Sequence, residues 1–203
     1  MIRKAGSKIS PMAGKTLFWL LLVLPAMAMI SGLMRGSALA MELLHPSGEM
    51  AIRLMILAML PGPLAEFFGL NRFLRGWQAI RRNLGLAAFS YALLHLAFYV
   101  IDMRLPAAML DELGLPGIWT GWLALLLPTP PAAISMDRAM RALGRKWKSL
   151  QQLVYPALFL SLAHWLLLDW KWQPAAVHLT PLILAWSLRC AARFRLRKER
   201  ALS

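Results

Sequence analysis

Leu84-Gly85-Leu86-Ala87-Ala88-Phe89-Ser90-Tyr91-Ala92-Leu93-Leu94-His95-Leu96-Ala97-Phe98-Tyr99-Val100-Ile101 runs from the guanidinium groups of Arg81 and Arg82 to Asp102 without one charged side chain. As a helix rising about 1.5 Å per residue, the run nearly crosses the roughly 30 Å hydrocarbon core of a bilayer. It carries one imidazole, His95. Five further apolar runs accompany it, at residues 16–33, 50–68, 117–133, 150–168 and 177–189. The fold read from them is all-α: a six-helix transmembrane bundle forming a single domain over residues 1–203. Pro61-Gly62-Pro63 is expected to kink the second helix, and Pro128, Pro130 and Pro131 to loosen the second half of the fourth.

Whole-chain composition agrees. The 203 residues are 59% apolar and 16% charged, with a mean hydropathy of +0.56. Soluble domains sit near 45–50% apolar and about 25% charged. The net charge of +14 would suit a nucleic-acid partner if the cations shared one face, but they fall in short clusters between apolar runs. That distribution is the mark of cytoplasmic loops. Arg3, Lys4, Lys8 and Lys15 precede the first run; Arg72, Arg75, Arg81 and Arg82 precede the third. Arg138, Arg141, Arg145, Lys146 and Lys148 precede the fifth, and Arg189, Arg193, Arg195, Arg197, Lys198 and Arg200 close the chain. Those 19 cations share one side, against Arg35, Arg53, Arg104 and Lys171 near the other. Both termini are therefore expected in the cytoplasm. Trp165, Trp170 and Trp172 at an outer boundary, with Trp77 and Trp147 at inner ones, fit an aromatic belt. A cleavable signal peptide is the rival reading of residues 16–33, given Ser37-Ala38-Leu39-Ala40, but the run exceeds the usual apolar region of about 7–15 residues. No internal repeat is evident.

His95 and His164 lie deep inside predicted spans, where ionisable groups are expensive and mark function. His95 is 13 residues beyond Arg82 and His164 is 16 beyond Lys148, roughly 20 and 24 Å from the inner edge. Both helices run outward, so the imidazoles reach similar height. Facing each other they could hold both axial positions of one haem iron; each alone could instead be polar glue between helices. No Cys, Asp or Glu neighbours them in sequence to complete a tetrahedral metal shell. His45 and His178 are expected in outer loops. Arg53, Arg104 and Lys171 are the outer cations available to haem propionates, Arg53 about one turn inside the second helix. Glu66 and Asp137 read as interfacial, and the basic tail at 193–200 as a stop-transfer anchor. Cys190 has no disulfide partner, and covalent haem attachment has no C-x-x-C-H. Nucleotide-binding loops, zinc-protease and serine-hydrolase motifs are also missing, so any chemistry belongs to a cofactor.

Longer motifs suggest a family. Arg81-Arg82-Asn83-Leu84-Gly85-Leu86 with Tyr91-Ala92-Leu93-Leu94-His95-Leu96 resembles the haem-binding membrane subunits of periplasmic methionine sulfoxide reductase systems (MsrQ, also called YedZ). So do Arg141-Ala142-Leu143-Gly144-Arg145-Lys146-Trp147-Lys148-Ser149-Leu150, Leu153-Val154-Tyr155 and Ala163-His164-Trp165, and the helix entry Ser47-Gly48-Glu49-Met50-Ala51-Ile52-Arg53-Leu54. The resemblance spans roughly residues 45–190, within the wider ferric reductase-like transmembrane domains. It implies a multi-pass b-type cytochrome of the bacterial inner membrane, an electron-transfer subunit rather than a complete enzyme. Electrons would come from the quinone pool or a flavin reductase and pass to a periplasmic molybdopterin subunit that repairs oxidised methionine. His95 and His164 match the family's haem ligands, while Gln151 stands where the family has a histidine, which implies one haem at most. Flavin mononucleotide is also associated with the family, with no residue here to localise it. The alternatives are a diverged ferric or metal reductase-like electron carrier and a haem-free membrane scaffold.

Overall fold

The computed structural model describes residues 11–169 and 171–202; Arg3, Lys4, Lys8 and Trp170 lie outside them. The described residues form eleven helices and no strand. These are α1 (Pro11–Met34), α2 (Ala40–Met59), α3 (Pro61–Phe68), α4 (Arg72–Met103), α5 (Pro106–Glu112) and α6 (Pro116–Leu126), then α7 (Thr129–Ala133), α8 (Asp137–Leu143), α9 (Arg145–Gln151), α10 (Val154–Leu168) and α11 (Trp172–Leu202). Among them five segments are long and apolar enough to cross a membrane: Thr16–Met34, Ala40–Phe68, Arg72–Met103, Arg145–Leu168 and Trp172–Leu202.

The fourth expected run, 117–133, is not one helix. It divides into α6 and α7 around Leu127-Pro128, because Pro128, Pro130 and Pro131 supply no amide hydrogens to continue the ladder. Pro61 divides α2 from α3 in the same manner and sits in α3's first turn, where a missing N–H costs nothing. Other helices outrun their apolar cores. α2 begins at Ala40, about ten residues before the apolar run, so Arg53 stands mid-helix rather than one turn inside. α4 starts at Arg72, capped by Asn71 Oδ1 accepting the Leu74 N–H at 2.8 Å. The basic tail continues α11 as helix.

α2 is central. It packs antiparallel to α4, with His95 near Leu44 at one end and the Trp77 indole donating to Leu57 O (3.0 Å) at the other. α6 packs antiparallel to α10 in a second pair, Gly117 lying against Leu168. Small residues make the close approaches: Ala87, Ala88, Ala157 and Ala185 are all buried, as expected where lipid offers no solvophobic drive and helices must meet by van der Waals contact. α1 instead leaves Leu17, Leu20, Leu21, Leu24 and Met27 exposed, a lipid-facing surface.

Ion pairs tie the ends. Glu66 of α3 meets Arg189 (2.7 Å) and Arg193 (2.8 Å) of α11, and Arg82 of α4 meets Asp137 of α8 at 2.5 Å. Glu66 and Asp137 are thus cross-links between helices rather than simple interfacial charges. At Pro25, a hydroxyl joins the backbone of α1. Ala26 N–H donates to Tyr91 Oη at 3.0 Å, and Tyr91 O–H donates to Leu22 O at 2.8 Å. The buried Tyr91 therefore bridges two backbone groups flanking the proline and fastens α1 to α4. Tyr91→Phe should cost about 1 kcal/mol or somewhat more, the worth of a hydrogen bond plus a stranded partner, read as a lower melting temperature in detergent.

Candidate functional site

His95 projects from α4 and His164 from α10 into one cavity of about 490 Å³. Their ring centroids are 6.0 Å apart and their planes perpendicular. The cavity wall is mostly apolar, with Ile52, Met55, Phe89, Leu96, Ile118 and Leu125 among its residues.

Each imidazole is held from behind by a helix backbone. His95 Nδ1 lies 2.8 Å from Leu44 O of α2, and His164 Nδ1 lies 2.5 Å from Gly117 O of α6. A carbonyl only accepts, so each Nδ1 carries the proton and each Nε2 keeps its lone pair. That is the tautomer a metal-ligating imidazole needs. The rings reach these carbonyls because a glycine stands one turn further along each helix. A Cβ on Gly48 would come within 3.2 Å of His95 Nδ1; a Cβ on Gly121 would stand 2.6 Å from His164 Nδ1 and Cε1. The second contact leaves no room for any side chain.

Other expectations are revised. His45 is not in a loop: it sits inside α2, lines the cavity and packs edge-on against Trp165 at 5.4 Å. His178 is within α11, its Nδ1 donating to Pro174 O (2.6 Å) and its Nε2 accepting from Arg53 Nε at 2.8 Å. Arg53 also pairs with Glu49 at 2.6 Å, and Glu49 lines the cavity. Trp165 is buried rather than belted at the interface; it lines the cavity, and its Nε1 has no hydrogen-bond partner among the described residues. Arg104 caps the end of α4 at φ 58°, next to the wall residue Met103, and Lys171 donates its amide to the wall residue Asp169 at 3.4 Å. Among described residues the wall includes the acidic side chains of Glu49, Asp102, Glu112 and Asp169, and no Lys or Arg. Glu112 accepts from the Tyr99 hydroxyl at 2.8 Å. The carboxylates line one cavity though remote in sequence, yet no group of three or more His, Cys, Asp or Glu among described residues is set to hold a metal ion.

Gln151 is far from this cavity's histidines. Its amide donates to Pro131 O at 3.1 Å, a carbonyl that also takes the Ser135 hydroxyl at 2.6 Å. The indole of Trp147 donates to Ile134 O nearby at 3.2 Å. These side chains satisfy backbone groups where prolines interrupt α7.

Comparison with known proteins adds to the geometry. The family model described as "Ferric reductase like transmembrane component" matches residues 47–163. A Brucella ovis protein named protein-methionine-sulfoxide reductase heme-binding subunit MsrQ is 35% identical over 77% of this chain and 70% of its own length. The Brucella anthropi protein of the same name is 34% identical over 71% of this chain and 66% of its own length.

The unequal glycine contacts make a prediction independent of any ligand. Gly121→Ala should destabilise the protein by about 1–3 kcal/mol through overpacking, and Gly48→Ala by visibly less, in parallel thermal melts.

Proposed function

The chain belongs to the ferric reductase-like transmembrane family, within it to the haem-binding membrane subunits of methionine sulfoxide reductase systems, and on that premise we propose that it carries electrons across its bundle through one haem b held by His95 and His164. The observation that carries this reading is the pair of rings 6.0 Å apart, each with Nδ1–H spent on a backbone carbonyl. With Nδ1–H so engaged, Nε2 of each ring is the nitrogen that would hold a metal. The cavity is apolar, within the size range of cofactor pockets, and the unpartnered Trp165 Nε1 on its wall is a donor suited to an acceptor-bearing ligand.

Haem, when bound, supplies a one-electron couple. The chain's own residues hold the ligand nitrogens in one tautomer, exclude water from the apolar wall, and neutralise charge near the rim. Arg104 and Lys171 follow wall residues and are the cations we assign to the propionates. Arg53 is engaged by Glu49 and His178; we keep it as a third candidate that reaches the site through Glu49.

We place the site in the outer half of an inner-membrane protein of six crossings, the sixth being the broken pair α6–α7, with both termini cytoplasmic; the 19-to-4 distribution of cations supports this orientation. A lipid-soluble quinol reaches such a site laterally, whereas a cytosolic flavin donor, including flavin mononucleotide, faces about 20 Å of helix. Quinol is therefore the donor we favour. The acceptor is the catalytic subunit of a methionine sulfoxide reductase, the partnership that the relatives' names imply; its being periplasmic and molybdopterin-dependent is carried over from the sequence resemblance.

The test is a reduced-minus-oxidised spectrum of the purified chain with haem quantified per polypeptide. One haem b per chain is expected, lost in His95→Ala and in His164→Ala. A wild-type spectrum retained in either variant defeats the assignment.

A further inference from the structure

Two buried hydroxyl residues repeat one arrangement behind the two histidines. Ser47 donates to Leu43 O (2.7 Å) and Leu44 O (2.9 Å); Thr120 donates to Pro116 O (2.7 Å) and Gly117 O (2.9 Å). In both cases the carbonyl three residues back is the one that takes the histidine, Leu44 O for His95 and Gly117 O for His164. In both cases the glycine that makes room for the ring comes next, Gly48 and Gly121. Ser47 is 0% exposed and Thr120 5%, and among described residues they are the buried polar side chains.

Ordinary helix back-bonding does not look like this. Ser90, Thr129, Ser161, Thr180 and Ser187 each donate to the single carbonyl four residues back, the common way to satisfy a hydroxyl in a membrane helix. Ser47 and Thr120 reach one carbonyl further, to the oxygen already engaged by an imidazole; Ser47 Oγ also lies 3.4 Å from His95 Nδ1 itself, a long contact beside the 2.8 Å bond of that nitrogen to Leu44 O and one that Thr120 does not repeat. A carbonyl oxygen has two lone pairs. The hydroxyl occupies part of that capacity, so the Nδ1–H meets a weaker acceptor than a free carbonyl would be.

We infer that Ser47-Gly48 and Thr120-Gly121 are a duplicated positioning device that sets the strength of the hydrogen bond behind each haem ligand and thereby the redox poise of the site. The inference rests on His95 and His164 being the ligands. A stronger Nδ1–H···O bond makes the imidazole more basic and favours ferric over ferrous iron. Removing a hydroxyl strengthens that bond. The sign follows: loss of either hydroxyl lowers the midpoint potential, and loss of both lowers it further. The glycines fix where each ring sits, and the hydroxyls fix how firmly it is gripped.

The experiment is redox titration of the purified, haem-loaded full-length chain, wild type against Ser47→Ala, Thr120→Ala and the double variant. Thr120→Val keeps the shape of the side chain without the hydroxyl, and Ser47→Cys keeps its size with a much weaker donor, should an alanine variant fail to fold. Ser47→Thr and Thr120→Ser retain the hydroxyl and should titrate like wild type. Each deletion should shift the ferric/ferrous equilibrium toward ferric by roughly three- to tenfold, tenfold being 59 mV for one electron, with haem content unchanged. Haem retained at an unchanged or raised potential in the deletions overturns the device. A wild-type chain without haem overturns the parent reading instead, so the two failures are told apart.

Discussion

Inside hydrocarbon a backbone N–H or C=O has no water to fall back on, and an unmatched one costs several kcal/mol. This chain carries 13 prolines, several within its apolar runs, and the structure answers them with side chains. Tyr91 bridges Leu22 O and Ala26 N–H around Pro25. Gln151, Ser135 and Trp147 reach carbonyls beside the prolines of α7. The histidines belong to the same economy, since each binds a carbonyl of the antiparallel partner helix. Satisfying the backbone and orienting an imidazole are one act here, which explains how these rings stay fixed without a carboxylate behind them.

The two halves of the site are similar but not equal. His164 sits closer to its carbonyl than His95 does, 2.5 against 2.8 Å, and closer to its glycine. The residue pressing on the first ring's carbonyl is a serine and on the second a threonine. A site built from two such half-sites can adjust one imidazole without moving the other, since each hydroxyl sits on its own helix pair.

Much of this was readable beforehand. Uncharged runs between arginine clusters located most of the helical segments, and the similar spacing of His95 from Arg82 and of His164 from Lys148 anticipated two rings that the structure brings within 6.0 Å. Helix ends were less readable, because α2, α4 and α11 continue past their apolar cores on polar residues; hence His45 and His178 looked like loop residues. The breaking of 117–133 into two helices follows from three prolines, but how many prolines a helix absorbs depends on which neighbours can reach its carbonyls. The hydroxyl–glycine pair escaped notice as a repeat because two residues recurring once are invisible to periodicity. Their kinship is spatial. A hydroxyl residue followed by glycine at matching depth on the helix opposite each histidine was the available signal.

α11 is held to α2 near its start through Arg53 and His178, and to α3 further along through Glu66 with Arg189 and Arg193. Contacts at two separated points oppose sliding of α11 along α2 and α3. The α6–α10 side is linked to α4 through short connecting helices, by Tyr99 to Glu112 of α5 and by Arg82 to Asp137 of α8. α10 also rests on that first trio directly, Trp165 packing on His45 of α2 and His178 of α11 and Tyr155 on Trp186 of α11, so the helix that bears His164 is braced by two of the same three helices.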